Sequence, residues 1–434
     1  MNILLINPWI HDFSAYDLWA KPLGLFIIAG ILRNTGANVH LIDCLGKSSK
    51  KRADGRGKFY EEIIPKPKPL AGIPRYFRRY GIPRDEFLSR LKNVPQPDAV
   101  LITSGMTYWY PGAFEAVRII RDTFPRAQVI LGGIYASLCP EHARRLSGAD
   151  AVIEGDDLKG LFALLGLNGS PPEFEDWPYP YNPLERRESV CLLTTRGCPF
   201  RCTYCAVHLL RPRFEKRAPE KVVEEIEMWQ RTGVKHFTFY DDALLLDPEE
   251  HIIPILTMVV DRGLECTFHA PNGLHIRGLS GKLASMMRKA GFTTIRIGFE
   301  SSQAETQAKT GEKLTNEEFI DGINALRKAG FHSDDIGVYI LAGLPFQEVE
   351  EVRETIEFVR NVGARPVLAE YSPIPKTELW ESACRSSPFP LGDEPLYHNN
   401  TILPCRWERF TPEDLQRMKD LCRSLPCREA RGLI

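Results

Sequence analysis

The chain has 434 residues, 43% hydrophobic and 26% charged, the balance of a soluble globular protein with room for two or three domains. A formal net charge of −1 gives no general attraction to nucleic acid or an anionic surface, and the longest apolar run, Leu23–Leu32, is too short to span a bilayer. Eleven cysteines with one tight cluster read as a metal site plus ordinary thiols, and Met1–Pro8 lacks the basic lead of a secretory signal, so a cytoplasmic protein is expected.

The first part alternates strand and helix. Asn2–Asn7 reads as an apolar strand, Gly24–Arg33 as an amphipathic helix closed by Gly36, and Asn38–Cys44 as the next strand. Asp98–Thr103, Gln128–Leu131 and Ala149–Glu154 follow, the first two running into small residues and then a helix. Such a series predicts a doubly wound, Rossmann-like parallel sheet over residues 1–165, with ligands beyond the carboxyl ends of its strands.

Between the second and third strands lies Gly46–Pro95, with 14 Lys/Arg against 5 Asp/Glu, a local charge of 14 − 5 = +9. It reads as solvated surface, an anchor for an anionic group, or a mobile lid. The interleaved Tyr76, Phe77 and Tyr80 favour the lid over pure solvation. Pro171, Pro172, Pro178, Pro180 and Pro183 mark a linker at 166–189.

A second alternating series runs over 190–377. Strands are expected at Val190–Thr195, His236–Tyr240, Cys266–Ala270, Thr294–Phe299, Ile336–Leu341 and Val367–Tyr371. Pro219 and Asp247-Pro248 mark helix starts, Thr315 with Glu318 a capping box, and Gly330 and Gly363 helix stops. Six strand–helix units predict a partial (β/α)6 barrel whose active face is at the strand carboxyl ends. A tail, 378–434, is expected to cover the barrel.

Directly after the first strand of that series stand Cys198, Cys202 and Cys205. Three thiolates on one short loop can hold three corners of a cubane iron–sulfur cluster and leave the fourth iron free for a ligand. Zinc would want a fourth ligand, and His208 is the near candidate. The tail cysteines Cys384, Cys405, Cys422 and Cys427 match no cluster spacing and read as buried thiols.

With three and then two residues between its cysteines and the aromatic Tyr204 before the last, the loop resembles the signature of the radical S-adenosylmethionine (SAM) superfamily. The resemblance implies a [4Fe–4S] cluster on Cys198, Cys202 and Cys205, whose open iron chelates SAM. One electron then cleaves the cofactor to methionine and a 5′-deoxyadenosyl radical. It places Tyr204 against the adenine, and Asp241 or Asp242, where many members have Gly-Gly-Glu, at the methionine ammonium. As plain residues the aspartates could be a solvated turn. Gly298, Glu300 and Ser301 match the segment contacting ribose and carboxylate, and Ile340 and Leu341 the one packing on adenine. Asn272 faces the same end, to touch SAM or substrate or to serve as a turn residue. Tyr371–Thr377 resembles the Ser-Pro-x-Pro-Gly-Thr turn of cobalamin-type members, with Lys376 in place of glycine.

The N-terminal sheet resembles the cobalamin-binding domain fused to this class of barrel. The matching pieces are Thr103-Ser104-Gly105-Met106-Thr107, Gly132-Gly133-Ile134-Tyr135 and Glu154-Gly155, where small residues let a bulky corrin approach the backbone. No loop carries the Asp-x-His-x-x-Gly that supplies a histidine to cobalt, including Asn7–Asp12. The lower face is therefore expected to be open or screened by a side chain of the loop Met106-Thr107-Tyr108-Trp109-Tyr110. As ordinary packing, those aromatics could equally fill a domain contact.

The resemblance implies methyl transfer from SAM, via the corrinoid, to an unactivated carbon or phosphorus, in a dry cleft between the domains. Radical cyclisation or rearrangement without methyl transfer, and a corrinoid sensor or carrier with a degenerate barrel, are the alternatives. Expected partners are a small-molecule, lipid or peptide substrate and an electron donor such as flavodoxin or ferredoxin, with no nucleic acid.

Overall fold

A computed structural model of the chain describes residues 1–19, 21–46, 48–52, 54–179 and 187–424. They divide into two compact units, Met1–Glu185 with Leu391–Thr401, and Arg186–Pro390 with Ile402–Ile434. Pro180, Pro183 and Cys427 lie outside the described residues.

The first unit is built on a five-stranded parallel sheet of β1 (Asn2–Asn7), β2 (Asn38–Asp43), β3 (Ala99–Ile102), β4 (Gln128–Leu131) and β5 (Ala151–Val152), in the order 5-4-3-1-2. The alternating side chains of β1 fill two cores. Ile3 and Leu5 pack with Leu25, Ala29 and Leu32 of the helix Leu23–Asn34, while Leu4 and Ile6 join Ala113, Val117 and Ile120 of the helix Tyr110–Thr123. In this strand order the connection reverses between β1 and β3, the crevice where ligands of such sheets bind.

The basic segment after Gly46 is built into this unit, which does not fit a detachable lid. Arg78–Tyr80 is the centre strand of a small antiparallel sheet between Ile10–Asp12 and Glu61–Ile63. Tyr80 and Phe59 pack on Ile10, and Ile82, Phe87 and Leu91 enter the main core beside Trp9, whose Nε1 donates to Ile82 O at 2.7 Å. The charges stay outside or pair, as Arg79 does with Glu62 and Glu115.

The second unit holds six parallel strands in simple order, β6 (Ser189–Leu192), β7 (His236–Phe239), β8 (Thr267–Leu274), β9 (Phe292–Glu300), β10 (Ile336–Ala342) and β11 (Arg365–Glu370). The helix Asn316–Lys328 shows why the intervening segments are helical. Phe319, Ile323 and Leu326 recur on one buried face, and Thr315 and Glu318 close a complete capping box. Gly330 and Gly363 take positive φ where helices stop.

Some boundaries differ from the sequence expectation. β8 continues through Pro271 and Asn272, with a break in register between Ala270 and Leu274 where proline offers no backbone donor. The helix expected at Asp247-Pro248 begins at Ile252, because Asp247 has φ 48° and opens a turn first. Lys376 adopts a left-handed conformation at φ 68°, one that a lysine side chain disfavours. The tail divides. The helix Pro412–Ser424 packs on β11 and on the helix Val349–Asn361, whereas Leu391–Thr401 belongs to the first unit.

Candidate metal and cofactor site

Beyond β6 the chain crosses Thr195–Arg196, a short strand paired with Glu215–Lys216, and turns at Gly197. With φ 76° and the carbonyl of Arg213 where a Cβ would stand, position 197 admits only glycine without displacement of that backbone. Cys198, Cys202 and Cys205 follow, with Cys205 N–H on Cys202 O at 3.0 Å. Phe200 between them stacks on His275 at 3.9 Å and 10°.

A buried polar frame carries this loop. Asp241, 4% exposed just past β7, accepts from Thr194 N at 2.9 Å, Thr194 Oγ1 at 2.6 Å and Thr195 N, all on Oδ1. Thr194 Oγ1 also meets His251 Nε2 at 2.9 Å. Arg217 donates its N–H to Thr194 O and a guanidinium N–H to Glu225 at 2.7 Å, in an ion pair buried at both ends. Asp242 accepts from Gly197 N at 3.0 Å and from Arg211 at 2.9 Å. Both aspartates thus hold the loop, and Asp241 Oδ2 remains buried without a hydrogen-bond partner. Burial pushes the Asp241 carboxyl up to about 6 against the pull of those donors, and pushes His251 down to about 4.

Burial also raises the thiols, Cys205 to about 11, with Cys202 adding to the rise at both Cys198 and Cys205. Among the described residues no group of three or more His, Cys, Asp or Glu is gathered as ligands of a single metal ion. A four-iron cubane is larger and holds its thiolates farther apart than one zinc does. Three cysteines within eight residues of one loop suit that larger group. The tail thiols of Cys384, Cys405 and Cys422 are raised too, chiefly by burial, Cys405 to about 12.

At the end of β9, Glu300 sits in the left-handed region at φ 74°. Its Oε1 accepts from Tyr204 OH at 2.8 Å and Lys313 Nζ at 3.1 Å. Gly298 leaves room for this pair, since a Cβ there would fall on the Lys313 ammonium and 2.7 Å from Glu300 Oε1. Ser301 is tied to Glu351 at 2.9 Å, and Asn272 Nδ2 reaches Asp241 O at 3.4 Å. Ile340 and Leu341 are buried in β10. The Leu341 carbonyl accepts from Gln347, which also caps Gly343 N at 2.8 Å. The sequence reading missed Lys313, His251, Arg217, Glu225 and Gln347. They stand outside any motif spacing, and the one local sign was Gly311 stopping a helix two residues before Lys313.

In the first unit the expected pieces meet at the carboxyl ends of β3, β4 and β5. Ser104 Oγ donates to Gly132 O at 2.6 Å, and Ile134 N and Tyr135 N bond back to Ser104 O and Gly105 O. Gly133, at φ 95°, lies so close to Ser104 that a Cβ would be 2.6 Å from its nitrogen. Gly155 N reaches Ser137 Oγ at 2.7 Å, Glu154 pairs with Arg144, and Thr103 N reaches Ile6 O. Thr107, Tyr108 and Tyr135 are buried and bonded, to His398, Asn400 and His142, whereas Ile134 is exposed. Asp12 pins the loop through Met106, taking Trp109 Nε1 and Asn399 Nδ2 at 2.7 Å each.

Residues 192–359 match the family model of the Radical SAM superfamily. An uncharacterized methyltransferase of Pyrococcus horikoshii is 26% identical over 358 residues, 73% of each chain. The cytidylyl-2-hydroxyethylphosphonate methyltransferase of Streptomyces wedmorensis is 22% identical over 91% of this chain and 84% of its own. The fold resembles that of the radical SAM methyltransferase TsrM from Kitasatospora setae, with TM-score 0.66, 17% identity, and 88% of this chain and 76% of TsrM covered. It also resembles the cobalamin-dependent radical SAM enzyme OxsB, with TM-score 0.61, 15% identity, and 88% and 55% covered. Among the described residues no helix is long and apolar enough to cross a membrane.

Proposed function

We propose that this chain, a radical SAM protein by its segment 192–359, is a cobalamin-dependent methyltransferase acting on an unactivated carbon or phosphorus. The observation that carries the reading is the loop of Cys198, Cys202 and Cys205, three thiols set at the carboxyl end of a parallel barrel on a frame of buried polar bonds. Bound there, a [4Fe–4S] cluster with SAM would supply a 5′-deoxyadenosyl radical, and a corrinoid would carry the methyl group.

The chain's own residues supply binding and orientation. Cys198, Cys202 and Cys205 would be the thiolate ligands. Asp241 Oδ2, a buried acceptor with nothing bound to it, suits an ammonium such as that of methionine. Glu300 is held by Tyr204 and Lys313 where it could accept from ribose hydroxyls. In the first unit, Gly132 leaves the end of β4 without a side chain, the place of its Cβ meeting only Ile153 O at 3.9 Å, which suits a flat, bulky macrocycle. The methyltransferases among the relatives support transfer of a methyl group, and an anaerobic magnesium-protoporphyrin IX monomethyl ester cyclase among them makes cyclisation the second reading.

The test is anaerobic reconstitution with iron, sulfide and cobalamin, then assay of 5′-deoxyadenosine and electron paramagnetic resonance (EPR) of the cobalt(II) state. The expected result is one four-iron cluster, SAM cleavage, and a base-off cobalt signal without nitrogen splitting. A cluster-loaded protein that leaves SAM intact would contradict the radical chemistry, and splitting from an axial nitrogen would contradict the absent histidine ligand.

A further inference from the structure

The turn after the helix Ala304–Thr310 clasps the cysteine loop. Thr203 donates its N–H to Thr310 O at 3.4 Å and its hydroxyl to Lys309 O at 2.8 Å. Gly311, at φ 103°, lies so close that a Cβ would be 3.0 Å from Cys202 Cα and 3.1 Å from Arg201 O. Glu312 follows at φ 48°. Two successive left-handed residues bring Lys313 to Glu300, where its side chain is 14% exposed with Nζ 3.1 Å from the carboxylate. Gly298 is the clearance that lets the ammonium in. A buried cation has thus been built against the loop that carries the three thiols.

Both charges of this pair stand beside the cysteine loop. Glu300 reaches it through Tyr204 OH at 2.8 Å, and Lys313 lies two residues past the glycine packed on Cys202 Cα.

We infer that Lys313 is a positioning residue that sets the reduction potential of the cluster, its ammonium favouring the reduced state and Glu300 opposing it. The inference rests on the cluster assignment proposed above. Reduction adds one electron, hence one negative charge, to the cluster. A fixed cation in a poorly solvated site favours that state, and a fixed anion disfavours it. A lysine that only fills space would not make the potential follow its charge.

The experiment is an EPR-monitored redox titration of the reconstituted full chain against titanium(III) citrate, for wild type, Lys313→Met, Lys313→Arg and Glu300→Gln, with iron and sulfide measured in each. The expected result is a more negative midpoint for Lys313→Met, a less negative one for Glu300→Gln, and a value near wild type for Lys313→Arg. Methionine and glutamine variants that shift in the same direction, or fail to shift, would overturn the inference. Should Lys313→Met lose its cluster, Glu300→Gln decides alone, and an unmoved or more negative midpoint there overturns it. Wild type that holds no four-iron cluster would instead refute the functional reading underneath.

Discussion

Replacing Asp241 by asparagine should stabilise the metal-free protein while removing its grip on SAM. The carboxyl is 4% exposed, and its three donors all crowd onto Oδ1. An amide oxygen can replace that acceptor, so the asparagine variant keeps the loop bonds and loses the buried charge. Burial lifts this carboxyl to about 6, a displacement from its ordinary value that corresponds to about 3 kcal/mol. The folded form therefore holds its proton to higher pH than the unfolded one, and wild-type stability falls as pH rises from about 4 through about 6. His251 titrates in both proteins, so their difference isolates Asp241. Urea denaturation at a series of pH values should show Asp241→Asn equal to wild type near pH 4 and more stable by up to about 3 kcal/mol above pH 7. Calorimetric SAM binding to the cluster-loaded variant should be lost, an exchange of stability against function familiar at binding sites. A variant less stable than wild type at pH 7.5, or a gap that ignores pH, would refute this reasoning.

Alanine at Cys198, Cys202 or Cys205 should each abolish the four-iron cluster by iron and sulfide analysis, while alanine at Cys384, Cys405 or Cys422 leaves it intact. Arg217→Met leaves Glu225 buried and unpaired beneath the loop and should cost about 3–5 kcal/mol in urea denaturation. Replacing Gly46–Pro95 by a glycine–serine linker should abolish cobalamin binding, measured by absorbance after gel filtration, because Phe87, Leu91 and Ile82 leave the core with it. Retained binding would make the segment peripheral.

The alternation of short apolar runs with helices was enough to read both sheets, because β1, β4 and β7 are buried strands bounded by turn residues. The cysteine loop was readable because metal ligation demands several ligands at short intervals. The frame beneath it was not, since Asp241, His251, Arg217 and Glu225 come together across 8–57 residues of sequence through backbone geometry. Lys313 was hidden for the same reason. The aromatics of the insertion pointed to a lid because nothing in the local sequence shows what they pack on, and Phe77, Tyr80 and Phe87 are buried in the first unit. The tail segment Leu391–Thr401 gave no sign that His398 and Asn399 return to the first unit.

If one chain binds both cofactors, a methyl group should move between them. Protein reconstituted with cluster and cobalamin, supplied with reductant and SAM labelled in its methyl carbon, tests it directly by mass spectrometry of the corrinoid. Label on the corrinoid is expected in wild type. Label that stays wholly on SAM, in protein shown to hold both cofactors, would contradict it.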